Sequence, residues 1–365
     1  MTRDPVCGMV VDEKQSRFKS THLDHPYFFC SEACKALFDQ NPEKYLGRPL
    51  AESALRRKVA IVGAGQVGTT FAFALMMSGL ASNIVLIDQN AALAEGHAMD
   101  LSHGLPFAQP TTIYAGTHAD CQDANVVVIT AGAAQKPGET RLDLVRKNTA
   151  IFKDLIPKIV EHDPKILLIV SNPVDVLTYV ALKVSGYPAG RVIGSGTSLD
   201  TARFRSLLSQ HCQVDARNVH AYIIGEHGDS EVPVWSQVNI GGVFFKDFCP
   251  ICQKRCDENE KAEIFFEVKN AAYEIIEKKG YTNFGIGLAL LRIVGAILRD
   301  ENSVLTISTL IEDYYGIQDV CLSIPVIVGS GGVLRHLHLN LDETEIKELK
   351  ASAGVLKSVI DQLNL

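Results

Sequence analysis

The chain has 365 residues, of which 47% are hydrophobic and 21% charged, and its formal net charge at pH 7 is −7. This composition is ordinary for a globular protein with a large core, and the negative balance argues against nucleic acid or an anionic membrane as a partner. No apolar run reaches the roughly 20 residues that a membrane helix needs. Because the start, Met1-Thr2-Arg3-Asp4-Pro5, has no apolar signal core, we expect a cytoplasmic protein whose nine cysteines are mostly reduced.

The first 50 residues differ from the rest of the chain. Cys7, Cys30 and Cys34 lie there among aromatic residues. The stretch 31–38 predicts a short helix with Ser31 as N-cap and Cys34 at its third position. Gly47-Arg48-Pro49 then breaks the pattern, so residues 1–50 are expected to form a small cysteine-containing module.

Apolar β-rich runs alternate with helical segments from residue 58 onward. Strands are predicted at 58–63, 83–88, 125–130 and 166–170, and helices at 66–78 and 91–101. Continuous apolar strands are typical of a parallel sheet that is buried on both faces. The pattern predicts an α/β, doubly wound domain over residues 57–194.

The pattern changes after about residue 195. Helices are predicted at 201–210, 260–279, 283–299 and 343–363, with an antiparallel section at 306–328. We therefore expect an α+β domain over residues 195–365.

A glycine-rich turn follows the first strand of the second segment, and it reads Gly63-Ala64-Gly65-Gln66-Val67-Gly68. Such glycines allow a tight turn and let a pyrophosphate approach the backbone at a helix N-terminus. Asp88 ends the next strand 20 residues after Gly68. A carboxylate there accepts hydrogen bonds from ribose hydroxyls and repels a 2′-phosphate, so the motif predicts NAD rather than NADP.

His227 lies between glycines in the polar stretch 225–230. An imidazole exchanges a proton near neutral pH, Asp200 would orient it, and Arg203, one helical turn beyond Asp200, could bind a carboxylate with two parallel hydrogen bonds. Taken singly, the three residues are explained by a capped turn, a helix surface charge and a solvated arginine. Together they are the groups needed to reduce a 2-oxo acid.

From about residue 57 to residue 365 the chain resembles the L-lactate/malate dehydrogenase family, with a Rossmann fold followed by an α+β catalytic domain. The matching motifs appear in the family's order: the glycine turn 63–68, the stretch 131–141, Ser171-Asn172-Pro173-Val174-Asp175, the Asp200/Arg203 pair and Gly225-Glu226-His227-Gly228.

The resemblance implies a role for each matching residue. His227 is the acid/base for pyruvate and L-lactate, Asp200 supports it, and Arg203 binds the substrate carboxylate. Arg141 lies on a loop that closes over the substrate and polarises its carbonyl, which also excludes water. The remaining matches lie at the substrate and cofactor, and they are Asn172, Thr282, Gly63, Gly65, Gln66, Val67, Gly68 and Asp88.

Gln135 separates the two branches of the family, because a malate dehydrogenase has an arginine here to pair with a second carboxylate. A neutral glutamine leaves that charge without a partner, which is costly under a closed loop. We therefore expect pyruvate as substrate; another small 2-hydroxy acid with an apolar tail is the alternative within the enzyme class.

Arg205 and His220 match positions that bind fructose 1,6-bisphosphate in activated bacterial members of the family. Those enzymes are tetramers, so the resemblance implies a homotetramer with an effector site at a subunit interface. The alternative is a surface arginine and a partly buried histidine with no ligand.

The first segment, roughly residues 3–47, resembles a YHS domain, a small metal-associated module. The resemblance makes Cys7, Cys30 and Cys34 candidate ligands of Cu(I), or of Zn(II) with His22 or His25 as fourth ligand. The alternatives are a small aromatic core whose cysteines only pack, and a metal-responsive protein that uses the dehydrogenase as scaffold.

A second cysteine cluster, Cys249, Cys252 and Cys256, has no matching second pair. It is interpreted as a loop with reduced thiols, with a metal or disulfide as the alternative.

Overall fold

A computed structural model describes residues 2–7, 9–13, 16–22, 25–45, 57–133, 140–245 and 257–363. The chain divides into two compact units, Met1–Arg56 and Arg57–Leu365. Each unit is described by itself below.

The first unit is built from short strands and one helix. Thr2–Arg3 pairs with Val10–Val11, and Phe18–His22 forms an antiparallel hairpin with His25–Phe29. The helix Glu32–Gln40 follows, then the turn of helix Pro42–Tyr45.

The predicted N-cap of that helix is confirmed, because Ser31 Oγ accepts a hydrogen bond from the backbone N–H of Cys34 at 3.2 Å. The core beneath the helix is aromatic: Phe29 and Phe38 are fully buried and their ring centroids lie 5.0 Å apart. A core of this size stabilises a fold only weakly on its own.

In the second unit, nine strands of the described residues form one sheet. In spatial order they are Gly332–His336, Val320–Gly329, Ser303–Ile311, Val192–Gly194, Leu167–Ile169, Val126–Ile129, Lys58–Val62, Asn83–Ile87 and Thr112–Ala115. The six strands from Val192–Gly194 to Thr112–Ala115 are parallel, and the other three are antiparallel. The predicted doubly wound sheet followed by an α+β section is confirmed.

The central strands are buried on both faces, as their continuous apolar sequences predict. All four residues of Val126–Ile129 are completely buried. The strands Thr112–Ala115 and Val192–Gly194 escaped prediction because they are short and carry few consecutive apolar residues.

Helices accompany the sheet, and those of the described residues are Gln66–Ser78, Ala91–His103, Arg141–Val160, Val174–Ser185, Ser198–Cys212, Glu258–Lys279, Phe284–Leu298 and Glu343–Ile360. The predicted helix 66–78 has the bounds observed, because Gly65 precedes it and Gly79 ends it in the left-handed conformation. Helix Val174–Ser185 is buried from Val174 through Leu182, so it is a central element of the fold.

A second apolar core supports the helix Ser198–Cys212. Phe204 and Leu208 on this helix are completely buried, and Phe204 meets Trp235 edge-to-face at 4.8 Å. Val268 of helix Glu258–Lys279 belongs to the same cluster. The core therefore fixes both helices whose polar faces line the candidate site.

In the described part of the chain, no helix combines the length and the apolar character required to cross a bilayer.

Candidate active site

The glycine turn after strand Lys58–Val62 is tightly packed at two of its glycines and open at the third, as dinucleotide binding requires. Gly63 has φ +110°, and a Cβ on it would lie 2.6 Å from the backbone nitrogen of Ala131. A Cβ on Gly68 would lie 2.0 Å from the carbonyl oxygen of Gly63. Neither position admits a side chain, so strand and helix approach each other closely.

Gly65 lies at the open side of the same turn, because a Cβ there would meet nothing within 4 Å. It is the N-cap of helix Gln66–Ser78, and no side chain caps that helix. The N–H groups of the first helical turn, which includes Gln66 and Val67, therefore face a space that a diphosphate can enter.

Asp88 lies at the end of the neighbouring strand and is tied to the glycine turn. Its Oδ2 accepts from the backbone N–H of Ala64 at 2.7 Å, and its Oδ1 accepts from that of Asn90 at 2.9 Å. The N–H donors of the turn and of the helix N-terminus, together with this carboxylate as an acceptor, fit the dinucleotide NAD.

The predicted acid/base pair is formed in the structure. Asp200 Oδ2 lies 2.6 Å from His227 Nδ1, and Asp200 Oδ1 accepts from Arg203 Nη1 at 2.8 Å. Asp200 is only 3% exposed. One carboxylate therefore bridges the imidazole and the guanidinium, and it leaves Nε2 of the imidazole for a substrate.

These contacts shift the proton affinity of the imidazole. Burial lowers the pKa of His227, but the charge of Asp200 and its hydrogen bond, with smaller effects of Asp175 and Glu231, outweigh burial and raise the pKa to about 9. For Asp200, burial raises the pKa, and the charges of His227 and Arg203 bring it below its ordinary value. At neutral pH the site holds an imidazolium against a carboxylate.

A cavity of about 480 Å³ adjoins this pair. It is lined by Leu144, Asn172, Pro173, Asp200, Arg203, His227, Gly228, Asp229, Glu231, Lys269, Ala272, Tyr273 and Ile276. The lining combines charged groups with apolar ones, which suits a small acid with an apolar tail.

The structure adds residues that the sequence analysis missed. Glu231 is 7% exposed and lies at the cavity four residues after His227. Lys269 donates to the carbonyl oxygen of Asp229 at 2.7 Å, and the Tyr273 hydroxyl donates to Asp229 Oδ1 at 3.1 Å. Only the position of Glu231, directly after the polar stretch 225–230 that carries His227, hinted at its role in sequence.

The predicted substrate residues do not all lie at the cavity in the described structure. Asn172 lines the cavity, and its carbonyl oxygen accepts from Asn148 Nδ2 at 2.8 Å. Among the described residues Thr282 is not one that lines this cavity. Gln135 lies outside the described residues, as does the side chain of Arg141, the first residue of helix Arg141–Val160.

The two expected effector residues come near each other. Arg205 donates through Nε to the carbonyl oxygen of Ala221 at 3.0 Å, and its guanidinium lies 5.5 Å from the ring centroid of Tyr222. His220, next to Ala221 in the chain, is exposed and pairs with Asn239 in a short sheet. Burial lowers the pKa of Arg205.

In the first unit the three predicted cysteines are brought together. Cys7 Sγ lies 3.5 Å from Cys30 Sγ, which lies 3.8 Å from Cys34 Sγ. With a carboxylate oxygen of Asp4, these sulfur atoms all lie within 4.8 Å of one another. Burial raises the pKa of Asp4, but hydrogen bonds from the backbone N–H groups of Cys30 and Val6 dominate and lower it to about 2.

The prediction that His22 or His25 supplies a fourth ligand requires a correction. A carboxylate oxygen of Asp4 lies beside the three sulfur atoms, and neither histidine does. His22 instead meets Phe38 edge-to-face, with ring centroids 6.3 Å apart, and His25 is exposed in the hairpin. Cys249, Cys252 and Cys256 lie outside the described residues.

Three family models match the chain. They are the YHS domain over residues 2–49, the NAD binding domain of lactate/malate dehydrogenase over 57–194 and the alpha/beta C-terminal domain of the same family over 197–364.

Curated relatives match the second unit over nearly their whole length. The L-lactate dehydrogenase of Thermoanaerobacterium saccharolyticum is 55% identical over 309 residues, which are 84% of this chain and 99% of the relative. That of Acetivibrio thermocellus is 54% identical over 310 residues, 85% of this chain and 98% of the relative.

Solved structures show the same likeness. The minor L-lactate dehydrogenase of Enterococcus mundtii, in a ligands-bound form, has a TM-score of 0.82 and 43% identity, covering 85% of this chain and 99% of its own. MGS-M5, a lactate dehydrogenase from a deep-sea metagenome library of the Medee basin, has a TM-score of 0.81 and 44% identity over the same shares.

The fold and the family matches define an NAD-binding dehydrogenase. The chain belongs to the lactate/malate dehydrogenase family and carries a YHS domain before the dehydrogenase.

Proposed function

We propose that the chain is an NAD-dependent L-lactate dehydrogenase that interconverts pyruvate and L-lactate in the cytoplasm. The observation that carries the proposal is the bridging of His227 and Arg203 by Asp200 at the wall of a small cavity. The names of the curated relatives support the choice of substrate.

The imidazolium of His227 donates the proton from Nε2 to the carbonyl oxygen of pyruvate, and in the reverse direction the neutral imidazole removes it from the lactate hydroxyl. Asp200 keeps Nδ1 protonated and the ring oriented. Arg203 uses one N–H group for Asp200, so its remaining donors bind the substrate carboxylate. Bound NADH supplies the hydride that reduces the carbonyl carbon.

Two further groups complete the proposed site. Arg141 closes over the substrate and polarises its carbonyl. Gln135 excludes a second carboxylate, because it offers no positive charge.

Purified protein tests the proposal through NADH oxidation with pyruvate and with oxaloacetate. Fast turnover of pyruvate and slow turnover of oxaloacetate is the expected result. Gln135→Arg should reverse part of this preference. Faster turnover of another small 2-oxo acid would replace pyruvate as the substrate.

We further propose a homotetramer with fructose 1,6-bisphosphate as activator at Arg205 and His220. The closeness of these residues through Ala221 supports a shared anion site. Addition of the bisphosphate should raise the rate at low pyruvate, and Arg205→Gln should abolish the rise. A rate that does not respond removes the effector from the proposal.

An apolar groove supports self-association. Its volume is about 730 Å³. Four large apolar side chains that line it are 49% to 69% exposed, and they are Phe73, Met77, Phe284 and Leu288. Such a large exposed apolar surface is typical of a protein interface, and we assign it to a second copy of the chain. Light scattering should give the mass of an oligomer, and Leu288→Glu should reduce that mass.

For the first unit we propose a site for Cu(I) or Zn(II) built from Cys7, Cys30 and Cys34, with Asp4 beside them. Metal titration of the full chain, compared with a Cys30→Ser variant, should show one equivalent bound only by the original protein. Deleting residues 1–50 tests whether the metal controls turnover: an unchanged metal response would reject control through this module.

A further inference from the structure

Two carboxylates beside the catalytic histidine, Glu231 and Asp175, each have a buried oxygen without a hydrogen-bond partner in the described part of the chain, but the other oxygen of Asp175 accepts from the backbone N–H of His227. In Glu231 the unpartnered oxygen is Oε1, although the residue is only 7% exposed. Glu226, in the same loop and 2% exposed, instead accepts a hydrogen bond from the Ser230 hydroxyl. Burying an unpartnered carboxylate is costly for the fold, so Glu231 lacks the structural explanation that Glu226 has.

The turn that follows His227 carries Glu231 to the cavity wall. The backbone N–H of Glu231 donates to the carbonyl oxygen of Gly228 at 3.2 Å, which closes this turn. Glu231 and His227 consequently line the same cavity.

The charged groups around Glu231 and His227 come from three helices. Asp200 and Arg203 belong to Ser198–Cys212, Lys269 to Glu258–Lys279, and Asp175, which acts on His227, to Val174–Ser185. Asp229 of the same turn also lines the cavity. The Lys269 ammonium group donates to the Asp229 carbonyl oxygen, so its hydrogen bond goes to the backbone.

We propose that Glu231 is a positioning residue of the acid/base site, whose buried carboxylate favours the protonated form of His227. The role deepens the proposed dehydrogenase function and rests on it. Glu231 does not touch the reacting atoms in this account; it acts through the imidazole.

The electrostatics support this geometry in both directions. Burial, and then the charge of Asp200, raise the pKa of Glu231 to about 8. The negative form of Glu231 in turn contributes to the raised pKa of His227, about 9. The charge of each group therefore affects the proton affinity of the other. As pH rises through about 8, Glu231 gains its charge, and that charge delays the loss of the proton from His227.

The test measures the proton affinity of His227 without turnover. Diethyl pyrocarbonate modifies neutral imidazole, and peptide mass mapping of the full chain gives its rate at His227 as a function of pH. Glu231→Gln and Glu231→Met both remove the charge at similar length, so either variant that folds suffices. Glu226→Gln is the matched control, since it removes another buried carboxylate of the same loop.

We expect the neutral variants of Glu231 to lower the apparent pKa of His227 by up to about one unit, seen as a rise of up to about tenfold in the neutral fraction between about pH 8 and 9, where Glu231 of the original protein carries its charge. Glu226→Gln should leave it unchanged. An unchanged pKa in the Glu231 variants, or an equal fall in the control, overturns the proposal. Because the labelling uses no substrate, this result is separate from a failure to turn over pyruvate.

Turnover supplies a second readout. In the Glu231 variants, the alkaline decline of kcat/KM for pyruvate should begin at lower pH than in the original protein. A uniform loss at every pH would indicate a merely structural role and would reject the proposal.

Discussion

Asp175 accepts a hydrogen bond from the backbone N–H of His227 at 2.7 Å. Asp175 lies on a buried helix packed within the NAD-binding half, whereas His227 lies on a loop 52 residues further along. Burial raises the pKa of Asp175, and the hydrogen bond from the backbone N–H of His227 acts against that increase. The loop that carries the acid/base is therefore held by an acceptor from the interior of the fold.

Two substitutions of Asp175 should distinguish the effect of its hydrogen bond to the His227 N–H from the effect of its negative charge. Asp175→Ala leaves the His227 N–H without its acceptor, so we expect kcat/KM for pyruvate to fall about 10- to 100-fold. Asp175→Asn retains an acceptor oxygen and should stay within several-fold of the original at pH 7. Steady-state kinetics of both variants checks this; equal losses would show that the hydrogen bond is not what matters.

The pH dependence follows from the raised pKa of His227. Pyruvate reduction needs the protonated imidazole, so kcat/KM should be constant below pH 9 and fall as pH rises through about 9. Lactate oxidation needs the neutral ring and should show the opposite trend.

Asp200→Asn removes the largest effect that raises the pKa of His227. The alkaline limb of pyruvate reduction should move to lower pH, and the rate at pH 8 should fall by about 10² to 10⁴-fold. Rate profiles from pH 5 to about 10 measure both effects. A limb that stays in place would mean that another group titrates.

Arg203→Lys should impair binding of the substrate carboxylate. A lysine cannot bridge Asp200 and a carboxylate in the planar geometry of a guanidinium, so we expect kcat/KM for pyruvate to fall about 100-fold, or about 2.7 kcal/mol, mostly through KM. Arg217→Lys is the control, because Arg217 is exposed and pairs only with Asp215 in the described contacts. Comparable losses in both variants would contradict the assignment.

Asp88→Asn should weaken the selection of NADH. The asparagine oxygen can still accept from Ala64, but the charge that repels a 2′-phosphate is lost. We expect the ratio of kcat/KM for NADH to that for NADPH to fall about tenfold or more. An unchanged ratio, measured with both cofactors at fixed pyruvate, would assign the selectivity to other residues.

Local patterns made much of this protein predictable. The glycine turn at 63, 65 and 68 and the boundaries of helix 66–78 could be predicted, because tight turns and helix ends require particular residues in the local sequence. The pairing of Asp200 with Arg203 follows from their spacing on one helix.

Contacts between distant segments were not predictable from these patterns. Asp4 binds the N–H of Cys30 across 26 residues, and Asp175 binds that of His227 across 52. Nothing in the local sequence marks such partners, which is also why His22 and His25 were the expected ligands. Glu231 escaped notice because its burial at the cavity wall arises only in the folded chain.

The continuity of the nine-stranded sheet limits how the two dehydrogenase domains can be recombined during evolution. Gly194, at the last parallel strand, pairs with Ser308 of the first antiparallel one, so the boundary between the two dehydrogenase family models runs through a hydrogen-bonded sheet. If two relatives exchanged these halves, strands that had evolved in two different proteins would have to pair with each other at this edge. Recombination is therefore expected to preserve residues 57–364 as one block, whereas the preceding YHS segment forms its own compact unit and can be gained or lost whole.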